Sequence, residues 1–348
     1  MIFRRYKRMK KLISLLLALT MLFALASCNK TNADETLKVF TLKGPTGIGM
    51  SKIMNDCENG TSDIKCDFTI ASSPDEITGN IIQGDFDFAA VPSNLAAVLY
   101  SKNPDTVRIA AVNVYSVLYI LEKGNTVNSI TDLEGKTLYA TGKGSTPEYI
   151  ISYLLDKYDV NCNVEFLADH SELATKMISG EITLGMLPMP NSTTVLMKNS
   201  DFRVALDLGD VWDEAELYEE NPSMIMQGCL IVNAKLLEND PDTVEKFLDA
   251  YAASVTYLHK EPDKAAKMVE KFGIVPSLDI AKNVVKAAGI VFRRDNTGFE
   301  YLKNFYNVLY NYNPASVGGN VPDENAYYYM PKAQTSESES ADSEAVSE

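Results

Sequence analysis

The sequence predicts an α/β protein of two similar lobes, joined twice and followed by a helical segment. Three observations carry this. Short β-rich runs alternate with segments of helical period, the pattern of helices layered on mostly parallel sheets. A forty-residue stretch recurs without a gap at an offset of 96. In it Cys66, Glu76, Ile82, Gly84, Pro92, Lys102, Asn103 and Asp105 match Cys162, Glu172, Ile178, Gly180, Pro188, Lys198, Asn199 and Asp201. Residues 240–312 then carry helix-start signals in series: Pro241, Pro262 and Ser277.

The elements follow in order. Residues 1–27 hold six bases and no acid, with fifteen uncharged, mostly apolar residues at Leu12 to Ala26. That run is short for a membrane span and suits a signal peptide. Leu25-Ala26-Ser27-Cys28 resembles a bacterial lipobox, which implies a lipid on the Cys28 thiol and a mature chain starting there. The alternative is an ordinary signal peptide with an incidental Cys. Residues 28–35 read as a polar tether. In the body, Leu37 to Leu42 reads as a strand, Gly44 to Gly49 as a turn and Met50 to Cys57 as a helix. Strand, helix, strand, helix then run through Cys66–Ile70, Pro74–Gln83, Phe86–Val91 and Ser93–Ser101, and the same grammar returns after Gly142–Pro147. The chain passes between lobes near Val112–Leu121 and again near Met226–Asn233, and two passages make a hinge. The Tyr327–Tyr329 run reads as a segment lying across the first lobe. The Ser/Glu-rich end, 332–348, reads as a disordered acidic tail.

Charge and cysteines exclude several classes. The net charge is −15. Setting aside the basic leader and the five acids of 335–348 leaves 26 bases against 42 acids, a body near −16. A nucleic-acid partner would need a basic face. Cys57, Cys66, Cys162 and Cys229 form no Cys-x-x-Cys, and His170 and His259 are far apart, so no metal or cofactor site is expected. Cys57 and Cys66 either pair across a helix-to-strand connection or remain two free thiols. Gly47-x-Gly49 lacks the third glycine of a dinucleotide loop, Lys52 standing there, and Gly142–Ser145 lacks P-loop spacing. No Gly-x-Ser-x-Gly accompanies either histidine, so no catalytic residue is expected.

Open α/β sheets bind guests where strands end and helices begin. The candidate contacts are therefore Gly44, Pro45 and Thr46 after the first strand, Ser72 and Ser73 after the second, and Pro92, Ser93 and Asn94 after the third. Gly144, Ser145, Thr146, Met189 and Asn191 occupy the matching junctions of the second lobe, and Tyr115 sits in the first passage. Free amides at helix starts accept an anion or dipole; plain helix capping is the alternative at each. Arg108 and Arg203 lie near strand starts, on the opposite edge, so an arginine clamp is disfavoured.

Three stretches now carry a resemblance. Ile130-Thr-Asp-Leu-Glu-Gly-Lys136 leads into the Gly-Ser-Thr loop; Leu187-Pro-Met-Pro190 follows a second-lobe strand; Asn233-Ala-Lys-Leu-Leu precedes Pro241-Asp-Thr-Val-Glu-Lys-Phe-Leu248. With the lipobox and duplicated lobes, they resemble the nitrate/sulfonate/taurine-type solute-binding lipoproteins of ABC importers, a group that includes thiamine-precursor binders. Leu187–Pro190 offers no aromatic or charged residue, where relatives often have one. The resemblance spans roughly residues 36–330 and implies a periplasmic-binding-protein-like fold. Lobe one would comprise 36–118 plus 228–331 and lobe two 119–227, with a solute held between them by hinge closure. It further implies a monomer anchored through Cys28 on the outer face of the cell membrane, working with a membrane permease. The solute leans to a small sulfonate or carboxylate, with a pyrimidine or thiamine-precursor heterocycle as the alternative. A surface sensor on the same fold is a second function. A secreted hydrolase is least favoured, and the group's likeness in fold to a fungal pyrimidine-synthesising enzyme does not help, because that chemistry needs a histidine-rich site.

Overall fold

The computed structural model describes residues 36–287 and 289–329. The basic leader, Cys28 with its tether, and the acidic tail lie outside the described residues. The strands are β1 (Leu37–Leu42), β2 (Cys66–Ala71), β3 (Phe88–Pro92), β4 (Val107–Val114), β5 (Leu118–Lys123), β6 (Thr137–Thr141), β7 (Asn163–Leu167), β8 (Leu184–Pro188), β9 (Phe202–Asp207), β10 (Gly228–Asn233) and β11 (Ile290–Arg293). Six form one sheet, in the order β2-β1-β3-β10-β4-β11, and five the other, β7-β6-β8-β5-β9.

The duplication is visible in this order. The triplets β2-β1-β3 and β7-β6-β8 are each parallel. An antiparallel strand closes each triplet, β10 in the first sheet and β5 in the second. Each of those strands is the one that has just crossed from the other half. The crossings are residues 115–117, between β4 and β5, and 217–227, between the helix Leu208–Glu216 and β10. Met226–Asn233 is thus mainly strand, because residues 228–233 are paired into the first sheet.

Matched residues do matched work. Asn103 Nδ2 donates to the Ile82 carbonyl at 3.0 Å, and Asn199 Nδ2 to the Ile178 carbonyl at 3.0 Å. Gly84 (φ 76°) and Gly180 (φ 80°) end the helices Asp75–Gln83 and His170–Ser179 in the left-handed conformation, which a side chain would strain.

One expectation is corrected. Gly44–Gly49 is not a turn: the helix begins at Pro45 and runs to Glu58, so Gly47 and Gly49 lie inside it. They are there for close packing. A Cβ on Gly47 would stand 2.5 Å from the Leu42 carbonyl oxygen, and one on Gly49 would be 3.2 Å from the Tyr251 ring.

Period-two alternation splits each sheet between two cores. Ala89, Val91, Cys229 and Ile231 face a cluster that continues into the second half through Leu118, Ile120, Leu138 and Trp212. Phe88, Ala90, Leu230 and Val232 face a second cluster, where Phe88 stacks on Phe247 at 3.8 Å. The C-terminal part is helical, as expected: Pro241–Lys260, Pro262–Lys271, Leu278–Val284 capped by Ser277, and Asn296–Tyr312. Strand β11 interrupts it, adding an edge to β4. Tyr327 bridges to Ile109, and the Tyr328 amide donates to the Ile109 carbonyl, which lays that tyrosine run on the first sheet.

Candidate functional site

Six helices start where a parallel strand ends; His170–Ser179, after β7, is capped by Asp169, and the other five are Pro45–Glu58, Asp75–Gln83, Ser93–Lys102, Thr146–Lys157 and Asn191–Lys198. None of those five has a side-chain N-cap. Away from these junctions, the helices starting at Leu208, Ala234, Pro241, Leu278 and Asn296 are capped by a side chain, and Pro262–Lys271 is not. First-turn amides left without an intrahelical partner carry the positive end of the helix dipole. The structure thus concentrates uncapped helix starts on the carboxyl edges of both sheets.

These edges meet. The Thr146 hydroxyl donates to Asn94 Oδ1 at 2.9 Å, joining the two halves where both side chains are buried. A Cβ on Gly44 (φ 98°) would lie 3.6 Å from Pro190 Cδ. Met189, only 5% exposed, belongs to the first half's core cluster with Ile48 and Tyr251, and its amide donates to the Val117 carbonyl at 2.9 Å. The Met189-Pro190 peptide bond is cis. Asn94 with Thr146, and Gly44 with Met189 and Pro190, are therefore brought together across the halves.

The remaining candidates differ in what they have free. Thr46 donates its hydroxyl to the Leu42 carbonyl at 3.3 Å, and Pro45 follows half-buried at the helix start. The Ser72 and Ser73 amides both donate to Glu76 Oε1 at 3.0 Å, so that junction already holds a carboxylate. Ser93 is fully buried: its amide donates to the Gln227 carbonyl, its hydroxyl to the Met226 carbonyl, and its own carbonyl accepts from Tyr306. Pro92 and Asn191 are half-buried beside it and beside Pro190. The Gly144 amide donates to the Glu148 carboxylate, a second junction filled from within, while the Ser145 hydroxyl donates to the Gly142 carbonyl at 2.7 Å. Tyr115 is anchored by its amide to the Gly289 carbonyl at 2.7 Å, and burial pushes its phenol up.

Sequence reading missed two residues here, Asn113 and Tyr251. Asn113, next to last in β4, is fully buried; its Nδ2 donates to the Tyr251 hydroxyl at 3.1 Å and its Oδ1 has no partner. A lone Asn within the apolar run Val107–Val114 was the available signal. Tyr251 in turn donates to the Thr46 carbonyl at 3.4 Å, tying Asn113 to the first uncapped helix start. His170 shares a 2.5 Å hydrogen bond with Thr141 at the end of β6, and burial pushes its imidazole down from 6.5.

The C-terminal helix fastens the halves from the side. Phe305 meets the fully buried Trp212 edge-on at 5.5 Å, the Tyr312 hydroxyl donates to Asp156 at 2.7 Å, and Asn313 Nδ2 donates to the Tyr149 hydroxyl at 3.3 Å. The four arginines of the described residues all have partners: Arg108 the Val107 carbonyl, Arg203 Glu122, Arg294 Glu245, and Arg293 both Asp295 and the Tyr115 phenol. Among the described residues no cluster of three or more His, Cys, Asp or Glu is placed to hold a metal, and no helix is long and apolar enough to cross a membrane.

Comparison with known proteins gives the arrangement a family. No curated protein matches the sequence. A solved ABC transporter from Parabacteroides distasonis is similar at a TM-score of 0.72 and 22% identity, over 86% of this chain and 100% of that one. The periplasmic aliphatic sulphonate binding protein of Escherichia coli is similar at 0.65 and 13%, over 84% and 95%. The periplasmic nitrate-binding protein of Synechocystis is similar at 0.58 and 11%, over 80% and 81%. At these identities the likeness is one of fold, and the fold is periplasmic-binding-protein-like. The family model described as NMT1/THI5 like matches residues 62–265, more than half of the sequence. The chain belongs to the NMT1/THI5-like family.

Proposed function

We propose that this protein is the solute-binding component of an ABC importer and that it captures a small organic solute between its halves by hinge closure. The observation that carries the reading is the concentration of uncapped helix starts on the two facing sheet edges, joined by the Thr146–Asn94 hydrogen bond. Contacts that a guest makes to both edges favour the closed arrangement, and only that difference shifts the population. Lobe one comprises 36–118 plus 228–331 and lobe two 119–227, except that Leu118 already pairs in the second sheet. The chain works as a binder, not an enzyme, delivered to the outer face of the membrane and held there through Cys28 as a monomer beside its permease.

The solute contacts come from Gly44, Pro45, Thr46, Asn94, Thr146, Met189 and Asn191, with Tyr115 and Asn113 near the first crossing. Ser72, Ser73, Gly144 and Ser145 border the same edges. A small sulfonate or carboxylate fits amide dipoles at helix starts. That fit is consistent with what the printed names say the Escherichia coli and Synechocystis proteins bind. A pyrimidine-type heterocycle is the second reading. Two observations favour it: three of the four described arginines are engaged away from the junctions, and Glu76 and Glu148 already occupy two junctions.

Thermal-shift titration of the full chain with aliphatic sulfonates and with pyrimidines tests both. Linkage raises the melting temperature for any ligand bound by the folded state alone, and X-ray scattering of the liganded protein should show compaction. If no member of a broad metabolite panel moves either quantity, the binding-protein reading fails.

A further inference from the structure

Away from the cleft, the structure places two cysteines side by side. Cys57 lies in the last turn of the helix Pro45–Glu58, and Cys66 opens β2, paired in register with Leu37. The connection between them is pinned by its own backbone. The Gly60 amide donates to the Cys57 carbonyl at 3.2 Å, the Thr61 amide to the Asp56 carbonyl at 2.9 Å, and the Leu37 amide to the Lys65 carbonyl at 2.9 Å. That fold-back carries the Cys57 sulfur to 3.6 Å from the Ile64 carbonyl and against both the thiol and the backbone amide of Cys66. Both cysteines are half-buried at the rim of the same apolar cluster, and both are reduced in this structure.

The two sulfurs are chemically unequal. Hydrogen bonds from Cys66 and Ser62 bring the Cys57 thiol down to about 7, against burial and the nearby Asp56 carboxylate. The same contact pushes Cys66 far up, because a second thiolate beside the first is disfavoured. Such a pair has one ready nucleophile and one resolving thiol. The other described cysteines differ: Cys162 donates to the Lys136 carbonyl at 3.4 Å, and Cys229 is fully buried 3.8 Å from the Tyr306 hydroxyl.

We propose that Cys57 and Cys66 are a disulfide-forming pair. With a small-molecule disulfide as oxidant, the Cys57 thiolate attacks one sulfur and releases one thiolate from it. The Cys66 sulfur then attacks the Cys57 side of the mixed disulfide and displaces the second. The pair loses two electrons and two protons, which the oxidant carries away as two thiols. The bond staples the end of the first helix to the start of β2, a short loop whose closure restrains the unfolded chain.

Lys65 makes the bond directly readable, since trypsin separates the two cysteines there. Full-length protein is equilibrated with glutathione disulfide, blocked with iodoacetamide and digested without reduction. The expected result is a linked pair of peptides, Ile53–Lys65 with Cys66–Lys102, and a melting temperature several degrees above that of the dithiothreitol-treated protein. The Cys57→Ser variant should lose that dependence on reductant. Finding both peptides alkylated, finding glutathione on either cysteine as the final state, or finding Cys66 linked to another cysteine overturns the proposal. None of these outcomes depends on what the cleft binds.

Discussion

The hydroxyl of Thr146 donates a 2.9 Å hydrogen bond to Oδ1 of Asn94, across 52 residues of sequence and from one sheet's edge to the other's. Thr146 is 3% exposed and Asn94 9%, so neither group has water to fall back on while the halves are in contact. Thr146→Val keeps the shape and removes the donor. A buried acceptor left unpaired costs about 1–3 kcal/mol, and the cost falls on the closed arrangement alone. Solute affinity should drop by at least roughly fivefold, with the radius of gyration of the liganded protein moving toward the open form. Unchanged affinity and compactness would show that this bond does not help hold the halves together.

Glu148 separates the two solute readings. Its carboxylate accepts from the Gly144 amide at an otherwise uncapped helix start. Glu148→Ala removes a charge that competes with an anionic guest at that dipole. Sulfonate affinity should rise about two- to fivefold, from the ordinary worth of a charge at a helix terminus, whereas a neutral pyrimidine should bind as before. Calorimetric titration of both ligand classes decides, and a fall in sulfonate affinity would contradict the amide-dipole site.

His170 gives the fold a mildly acidic sensitivity. Burial lowers its folded-state value below 6.5, with Asp169 opposing. Above 6.5 the imidazole is neutral in both states and stability is level. As pH falls below 6.5 the unfolded chain takes up the proton first, so stability declines until the folded value is passed. Carboxylates lowered by their partners, the buried Glu122 and the half-buried Glu245 among them, act further down, below the ordinary carboxylate value of 4.5. His170→Asn should therefore flatten the melting-temperature curve between pH 7 and pH 5 and leave the more acidic decline in place. A curve of unchanged slope in that window would place the sensitivity elsewhere.

Gly47→Ala tests why the first helix carries glycines. The added carbon would stand 2.5 Å from the backbone oxygen of Leu42, which cannot swing away. The helix must shift, at a cost of about 1–3 kcal/mol for overpacking. Gly79, also helical, has open space around it and should accept Ala with no such loss. Urea midpoints of the two variants make the comparison, and equal losses would mean that helix propensity, not contact, sets the effect.

Much of the fold was written locally. Strand alternation and helix starts depend on neighbours a few residues apart, and the offset-96 repeat on matching identities along the chain, so all are legible in one sequence. The matched Asn103–Ile82 and Asn199–Ile178 bonds show that the repeat was structural. The first helix was misplaced for an equally local reason. Glycine usually signals a turn, and only the approach of Leu42 and Tyr251 explains Gly47 and Gly49 inside a helix.

What the sequence determined by itself was therefore the grammar of two α/β halves, the strand-to-helix junctions, and the helical end. Tertiary structure alone decided which junctions meet and which are already filled. Thr146 reaches Asn94, Tyr251 reaches Thr46 over 205 residues, Asn113 is left with an open acceptor, and Glu76 and Glu148 sit on amides that looked free. The physical reason is range. Propensity and periodicity act within a few residues, whereas the meeting edges are built from groups far apart in the chain, and their burial and hydrogen bonds exist only after both halves have folded.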